Sequence, residues 1–454
     1  MSDTPASDLD APSPPGPSGL PLVGNTFQLI REPLAFLDEL SDYGDVVGYE
    51  VAGMRFCALF HPEQVERVLV RESDGVEKLQ FGDFGAELAP EGVLLTDGEQ
   101  WRTQRRILQD AFTLDRIGSY ADAMTADTVD TVDGWADGAE IALNRELSAL
   151  TLRILGRTLF DVDITERSDA IADTAAAVND RADTRSIAAF LPSWIPTPTQ
   201  RRYDRAMAAF DREMTSLIEE TRGTDGDDLL SLLLAAHDAG DGDLSEREVR
   251  DNLLTFLFAG HETTALALTY TLLLLATHDG PRERLRAEID EVLGDDPPTV
   301  DDLDDLSYTD RVLTEALRLY PPAYAVFRRT TRDFELDGYR IPHGTNLTIP
   351  QFRIHRDDRF YDEPSAFRPD RWTDEFEADL PEYAYFPFGG GPRHCIGMRF
   401  ATLELKLVLP TILQRVEFDL LSDPEPELSA GATLRPASDI EMQVRRRDDE
   451  RSPQ

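Results

Sequence analysis

Apolar residues recur at intervals of three and four through most of the chain, the spacing that lines them up along one side of a helix. The longest such run predicts a helix from Ser245 to Thr277. It opens on Ser-Glu-Arg-Glu, Ser245 to Glu248, where the serine and the glutamate three residues on can satisfy each other's backbone N–H groups. At 1.5 Å per residue it is roughly 50 Å long, enough to cross a whole domain. Its apolar pattern breaks at the centre, in Ala259-Gly260-His261-Glu262-Thr263-Thr264. The charge at Glu262 leaves apolar halves too short to span a bilayer. His261-Glu262 also lacks the second histidine of an H-E-x-x-H zinc site. Further helices are predicted in the segment Glu99 to Phe112, from Tyr308 to Pro322, and from Met398 to Gln414. Alternating patterns mark strands in Asp45 to Phe60, around a glycine turn, in Phe334 to Pro350, and near the C-terminus. The fold class expected is mainly α with small β-sheets. Polar breaks at Thr221 to Asp228 and Gly294 to Asp305 separate helices rather than domains. One domain is expected over residues 14–446, with a disordered acidic, proline-rich N-terminus at 1–13 and a polar tail at 447–454.

Charge narrows the setting. The net charge is -42 over 454 residues, and only two of the 45 basic residues are lysines, Lys78 and Lys406. Such a surface repels phosphates, which excludes nucleic acid as a partner. It suits a halophilic protein, because in molar salt self-repulsion is screened within about 3 Å. With Cys57 and Cys395 alone, a disulfide framework, a four-cysteine zinc site and an iron–sulfur cluster all lack ligands. The first residues carry neither an apolar core nor a basic flank, so no signal peptide or transmembrane anchor is expected, and the protein is expected to be soluble and cytoplasmic.

Chemistry concentrates at Cys395, in Phe-Pro-Phe-Gly-Gly-Gly-Pro-Arg-His-Cys-Ile-Gly, Phe386 to Gly397. A thiolate ligand is favoured by backbone N–H groups and by the positive end of the helix that follows. Glycines 389, 390, 391 and 397 offer close approach to a large flat ligand. The spacing F-x-x-G-x-R-x-C-x-G, Phe388 to Gly397, resembles the haem-binding loop of the cytochrome P-450 family, and other motifs of that family precede it in order from about Pro14 to about Arg446.

The resemblance implies the family fold, with haem b between the long central helix and the cysteine loop. It assigns Cys395 as axial ligand of the iron, Phe388 as the ring beside the sulfur and Arg393 as a propionate partner. Trp101 and Arg105, spaced i, i+4 on one helix, match further propionate contacts, as does Arg328, with Arg329 its rival and His355 a weaker candidate. In the central helix, Gly260 with Ala259 would leave space over the iron, Thr263 would hydrogen-bond dioxygen, and Glu262 would relay protons into a dry site. Glu315 and Arg318, on one face of a helix, and Arg371 in Phe-Arg-Pro-Asp-Arg-Trp resemble a structural charge triad. By analogy Phe81, Phe84, Leu88, Phe256, Ala323 and Val326 line the substrate pocket. Phe190 to Pro196 reads equally as a lid, a membrane-surface contact or an oligomer contact.

The implied function is a monomeric haem-thiolate monooxygenase, inserting one atom of dioxygen into an apolar, lipid- or isoprenoid-like substrate. No flavin domain is expected within the chain, so electrons should come from a ferredoxin-type donor with its reductase. Arginines in Trp101 to Arg116 and the stretch Arg393 to Lys406 form two basic islands on which an acidic ferredoxin could dock. The alternatives are a peroxide-using peroxygenase or isomerase, and a non-catalytic haem protein that binds a small ligand.

Overall fold

The computed structural model describes residues 11–79, 88–164, 167–183, 185–186, 191, 194–222, 226, 228–238 and 244–447. The central helix forms where its cap and pattern place it. It runs over Glu246–Thr277, with Ser245 Oγ accepting from Glu248 N at 3.1 Å and Glu248 Oε2 accepting from Ser245 N at 2.7 Å. Other long helices are α1 (Gly98–Gln109), α2 (Ala121–Asp133), α3 (Leu143–Leu159), α4 (Ser168–Ala182) and α5 (Pro198–Thr221). The central helix is α6, followed by α7 (Ser307–Leu319) and α8 (Met398–Arg415). Prolines at 321 and 322 stop α7 short of the predicted end, since neither can donate to the helix ladder.

Along α6 most side chains are buried, Thr269 as fully as Leu268, so the helix runs through the core rather than along its edge. It lies against α3, while α8 packs on α2 and α4 on α5. A single large apolar cluster joins these helices and includes Leu155, Phe256, Leu268, Leu313 and Leu407.

Strands β1 (Val46–Val51) and β2 (Met54–Leu59) pair around Ala52 and Gly53. Both turn residues have positive φ, +51° and +76°, which matches the right-handed twist of a two-residue hairpin. The sheet they begin continues with β3 (Val76–Lys78), β5 (Val326–Thr330) and β8 (Asn346–Ile349), in the order β1-β2-β8-β5-β3, with β4 (Glu140–Ala142) elsewhere. Only β2 and β8 run parallel in it. The strands β6 (Phe334–Leu336) and β7 (Tyr339–Ile341) form a hairpin, as do β10 (Leu428–Ala430) and β11 (Leu434–Pro436). Near the C-terminus β9 (Val416–Leu420) and β12 (Glu441–Arg446) make a sheet with β4. Among the described residues no helix is long and apolar enough to cross a membrane.

Candidate active site

The Cys395 loop is closed by its own backbone, the Phe388 carbonyl accepting from Cys395 N at 2.9 Å. Gly389 and Gly391 have φ of +73° and +66°, where other residues are strained. The glycines do not all serve a ligand as expected. A Cβ at Gly391 would lie 1.9 Å from the Leu69 carbonyl, and one at Gly390 would lie 2.3 Å from the Tyr383 ring, so these two let the loop press against protein. At Gly397 a Cβ would meet only Phe112, at an ordinary 3.7 Å.

Cys395 is exposed, in contrast to the buried Cys57. Although a face of it is open, protein atoms crowd round the sulfur, and this burial raises the thiol's pKa. The Gly397 N–H and the Arg105 guanidinium oppose the rise without cancelling it. Loop dipoles alone therefore do not offset the burial of the sulfur. A bound metal cation would, since ligation and deprotonation are linked.

Beside this loop lies an excess of positive charge. Arg105 donates to the His394 carbonyl at 3.1 Å. Arg393 donates to the Thr96 carbonyl at 2.6 Å and to Asp97, with its guanidinium stacked 4.5 Å from the Trp101 ring. The pleat of β5 separates the two candidate arginines, turning Arg328 inward and leaving Arg329 exposed. Among the described residues Arg328 donates to the neighbouring Phe327 carbonyl at 2.8 Å, and burial with the repulsion of Arg393 lowers its pKa to about 10. Its register partner on β3 is Lys78, whose pKa is held well below the lysine range by burial and then by Arg328 and Arg393. Lys78, Arg328 and Arg393 thus share one carboxylate, Asp97, among the described residues, and its Oδ2 also accepts from Lys78 N at 3.1 Å. Buried cations without counter-ions are costly, and a dianionic group would relieve them. The residues present fit a haem with two propionates. Lys78 joins this group without any motif to mark it, its rarity in so arginine-rich a chain being the one signal in the sequence.

His355 stands apart from these cations. It is fully buried, its Nε2 accepts from Phe386 N at 3.0 Å, and Tyr385 and Phe386 flank its ring at 5.3 Å. Burial, with Arg318 and Arg356 nearby, keeps it neutral. These contacts tie His355, expected near a propionate, to the backbone at the start of the cysteine loop. Its carbonyl accepts from Arg318 Nη1 at 2.8 Å. That arginine forks onto Glu315 through two bonds of 2.8 Å, and Arg371 Nε adds a third of 3.0 Å. Trp372 Nε1 donates to Glu315 at 2.8 Å, a partner not foreseen.

The middle of α6 opens between buried flanks, with Ala259, Gly260, Glu262 and Thr263 only half-buried. Gly260 does not point into that opening. A Cβ there would lie 2.9 Å from Leu155 of α3, so the glycine serves helix packing rather than space over a ligand. Thr151 of α3 ties the same contact by donating to the His261 carbonyl at 3.0 Å. Thr263 Oγ1 donates to the Ala259 carbonyl at 2.7 Å. Glu262 Oε1 accepts from Asn179 Nδ2 at 2.6 Å, while Oε2 is buried with no hydrogen-bond partner among the described residues. Burial raises this carboxyl to about 7 against the pull of Arg435, Asn179 and Thr433.

Of the expected pocket residues, Phe81 and Phe84 lie outside the described residues, as does Phe190 of the apolar segment that ends at Pro196. Phe256 is 6% exposed and stacked on Phe112 at 5.6 Å, so it backs the site rather than lining it. Ala323 is exposed, and Leu88 and Val326 are half-buried.

A model of the cytochrome P450 family matches residues 14–444. The chain is 36% identical over 429 residues to a pentalenene oxygenase of Streptomyces avermitilis, across 92% of this chain and 94% of that protein. It is also 36% identical over 423 residues to a cyclooctat-9-en-7-ol 5-monooxygenase of Streptomyces melanosporofaciens, across 91% and 92%. A solved structure, that of a retinoic acid-bound cyanobacterial CYP120A1, superposes with a TM-score of 0.86 at 27% identity, covering 96% of this chain and 100% of that one.

Proposed function

The chain belongs to the cytochrome P450 family, and from that membership we propose that it oxygenates a cyclic isoprenoid with electrons from a ferredoxin-type donor and its reductase. The protein is a cytochrome P450 monooxygenase, and its cofactor is thiolate-ligated haem b. Cys395 would hold the iron, and Arg105, Arg328, Arg393 and Lys78 would hold the propionates. When bound, the haem activates dioxygen so that one oxygen atom enters the substrate and the other leaves as water.

The chain's own groups manage binding and protons. A carboxyl that titrates near neutrality, as Glu262 does, can both give and recover a proton at working pH. Thr263 is the next residue on α6, and its hydroxyl can exchange its bond to the Ala259 carbonyl for one directed into the opening. On this reading Leu88, Ala323 and Val326 line the substrate side and offer an apolar molecule no side-chain hydrogen-bonding groups. The observation that carries the reading is the exposed Cys395 thiol set beside buried, under-compensated cations. The isoprenoid class rests on the two Streptomyces relatives, whose names specify pentalenene and cyclooctat-9-en-7-ol.

Two measurements test it. The reduced carbon monoxide complex should show the red-shifted Soret band of thiolate ligation, absent from Cys395→His. A panel of sesquiterpene and diterpene hydrocarbons, fatty acids and steroids should give low-to-high spin shifts with terpenes and turnover with ferredoxin and dioxygen. Shifts and products from fatty acids alone would overturn the substrate class.

A further inference from the structure

Glu262 is held by residues that lie far from it in the chain. Asn179, on α4, donates to its Oε1, and that amide is itself fixed in orientation. Asn179 Oδ1 accepts the hydroxyl of Thr433 at 3.1 Å and its backbone N–H at 3.3 Å, from the turn between β10 and β11. With its oxygen so engaged, the amide must turn its NH2 toward Glu262, where it also reaches the Ala175 carbonyl at 3.1 Å. Gly431 keeps that turn close, since a Cβ there would lie 3.1 Å from the Asn179 carbonyl. The charged group acting on Glu262 is Arg435 of β11, itself paired with Asp180 of α4 at 2.7 Å. On α6 the adjacent His261 is buried and neutral, its Nδ1 against the Leu257 carbonyl.

We propose that Asn179 and Thr433 are positioning residues for the oxygenation: they pin one carboxyl oxygen of Glu262 and leave the other, Oε2, as the oxygen that gains and loses the proton. The acid is then complete only when α4 and the β10–β11 hairpin are both seated on α6. This inference rests on the proton-relay role proposed for Glu262. It adds that the relay is set by two elements outside the central helix, a neutral amide bonding the acid while the charge of Arg435 favours its anion.

The test uses the haem-loaded enzyme with two readouts, the pH titration of the Glu262 carboxyl infrared band and the pH profile of product formed per electron. Glu262→Gln identifies the band by its loss. A donated hydrogen bond favours the anion, so Asn179→Leu should move the band's midpoint up by about one pH unit, and the profile should follow. Thr433→Val should shift both less, in the same direction. Asn179→Asp, which keeps the shape, sets a second carboxylate beside the first and should move them furthest. Substrate-induced spin shifts should stay unchanged. A midpoint and profile that stay fixed in Asn179→Asp and Thr433→Val would overturn the positioning role. Unchanged coupling in Glu262→Gln, with the band still shifting in Asn179→Leu, would instead overturn the relay and the positioning role with it.

Discussion

Glu315 is a fully buried carboxyl that keeps its charge. Burial alone would push its pKa up, yet the bonds from Arg318 and the fields of Arg318 and Arg371 hold it below its ordinary 4.5. Because the folded value is the lower one, the group's stabilisation is complete above the unfolded pKa and is lost as pH falls through the folded one. Glu315→Gln should flatten that acid limb while stranding two buried guanidinium groups, at a cost of about 3–5 kcal/mol. Urea unfolding of the haem-loaded protein from pH 3 to 7 measures both effects; a variant as stable as the parent at pH 7 would show that the network contributes nothing. At this scale the sequence was most legible where chemistry is local. The Cys395 loop, the Glu315–Arg318 spacing and the Ser245–Glu248 cap each lie within a dozen positions. Lys78 with Arg328, and Glu262 with Asn179 and Thr433, meet only through folding, so no spacing announces them.

Between elements, one contact sets how closely α6 approaches α3. Gly260 faces Leu155, which is 2% exposed and has little room to move. Gly260→Val should therefore destabilise the protein by about 1–3 kcal/mol through overpacking. Adding Leu155→Ala should return part of that loss, a coupling that a double-mutant cycle reads directly. Additive losses would mean the two side chains do not meet. The sequence marked Gly260 as special but not its direction, because that depends on the rotation of α6 about its axis. The same limit applied to Arg328 and Arg329, which only the register of β5 against β3 and β8 separates. The strands near Asp45 to Phe60 were legible from alternation and a turn, whereas the pairing of β2 with β8 across the chain was not.

For the whole molecule the dominant quantity is a net charge of -42. Screening should raise the thermal midpoint steadily from low to molar salt, as self-repulsion among carboxylates is removed. The same salt series examines the electron donor. Arg106 is exposed on α1, while Arg205 lies on α5, which packs on α4. Arg106→Glu should slow reduction by an acidic ferredoxin several-fold at the lowest salt that keeps the protein folded, with the gap closing as salt rises. Arg205→Glu should leave the rate unchanged, and equal slowing by both would remove the docking assignment.

Those two lysines have a practical consequence. Lys406 is paired with Asp310 at 2.8 Å on a side chain only 13% exposed, and Lys78 sits among the cations beside Asp97. Reagents that attack amines thus find almost no side chain to modify on a protein otherwise dense with charge. Ester-activated dyes and amine cross-linkers should label the folded enzyme poorly. Lys78, with its depressed pKa, is the side-chain amine most ready to react once the haem is stripped. Its acylation, followed by peptide mass mapping with and without haem, would report cofactor occupancy at a single position.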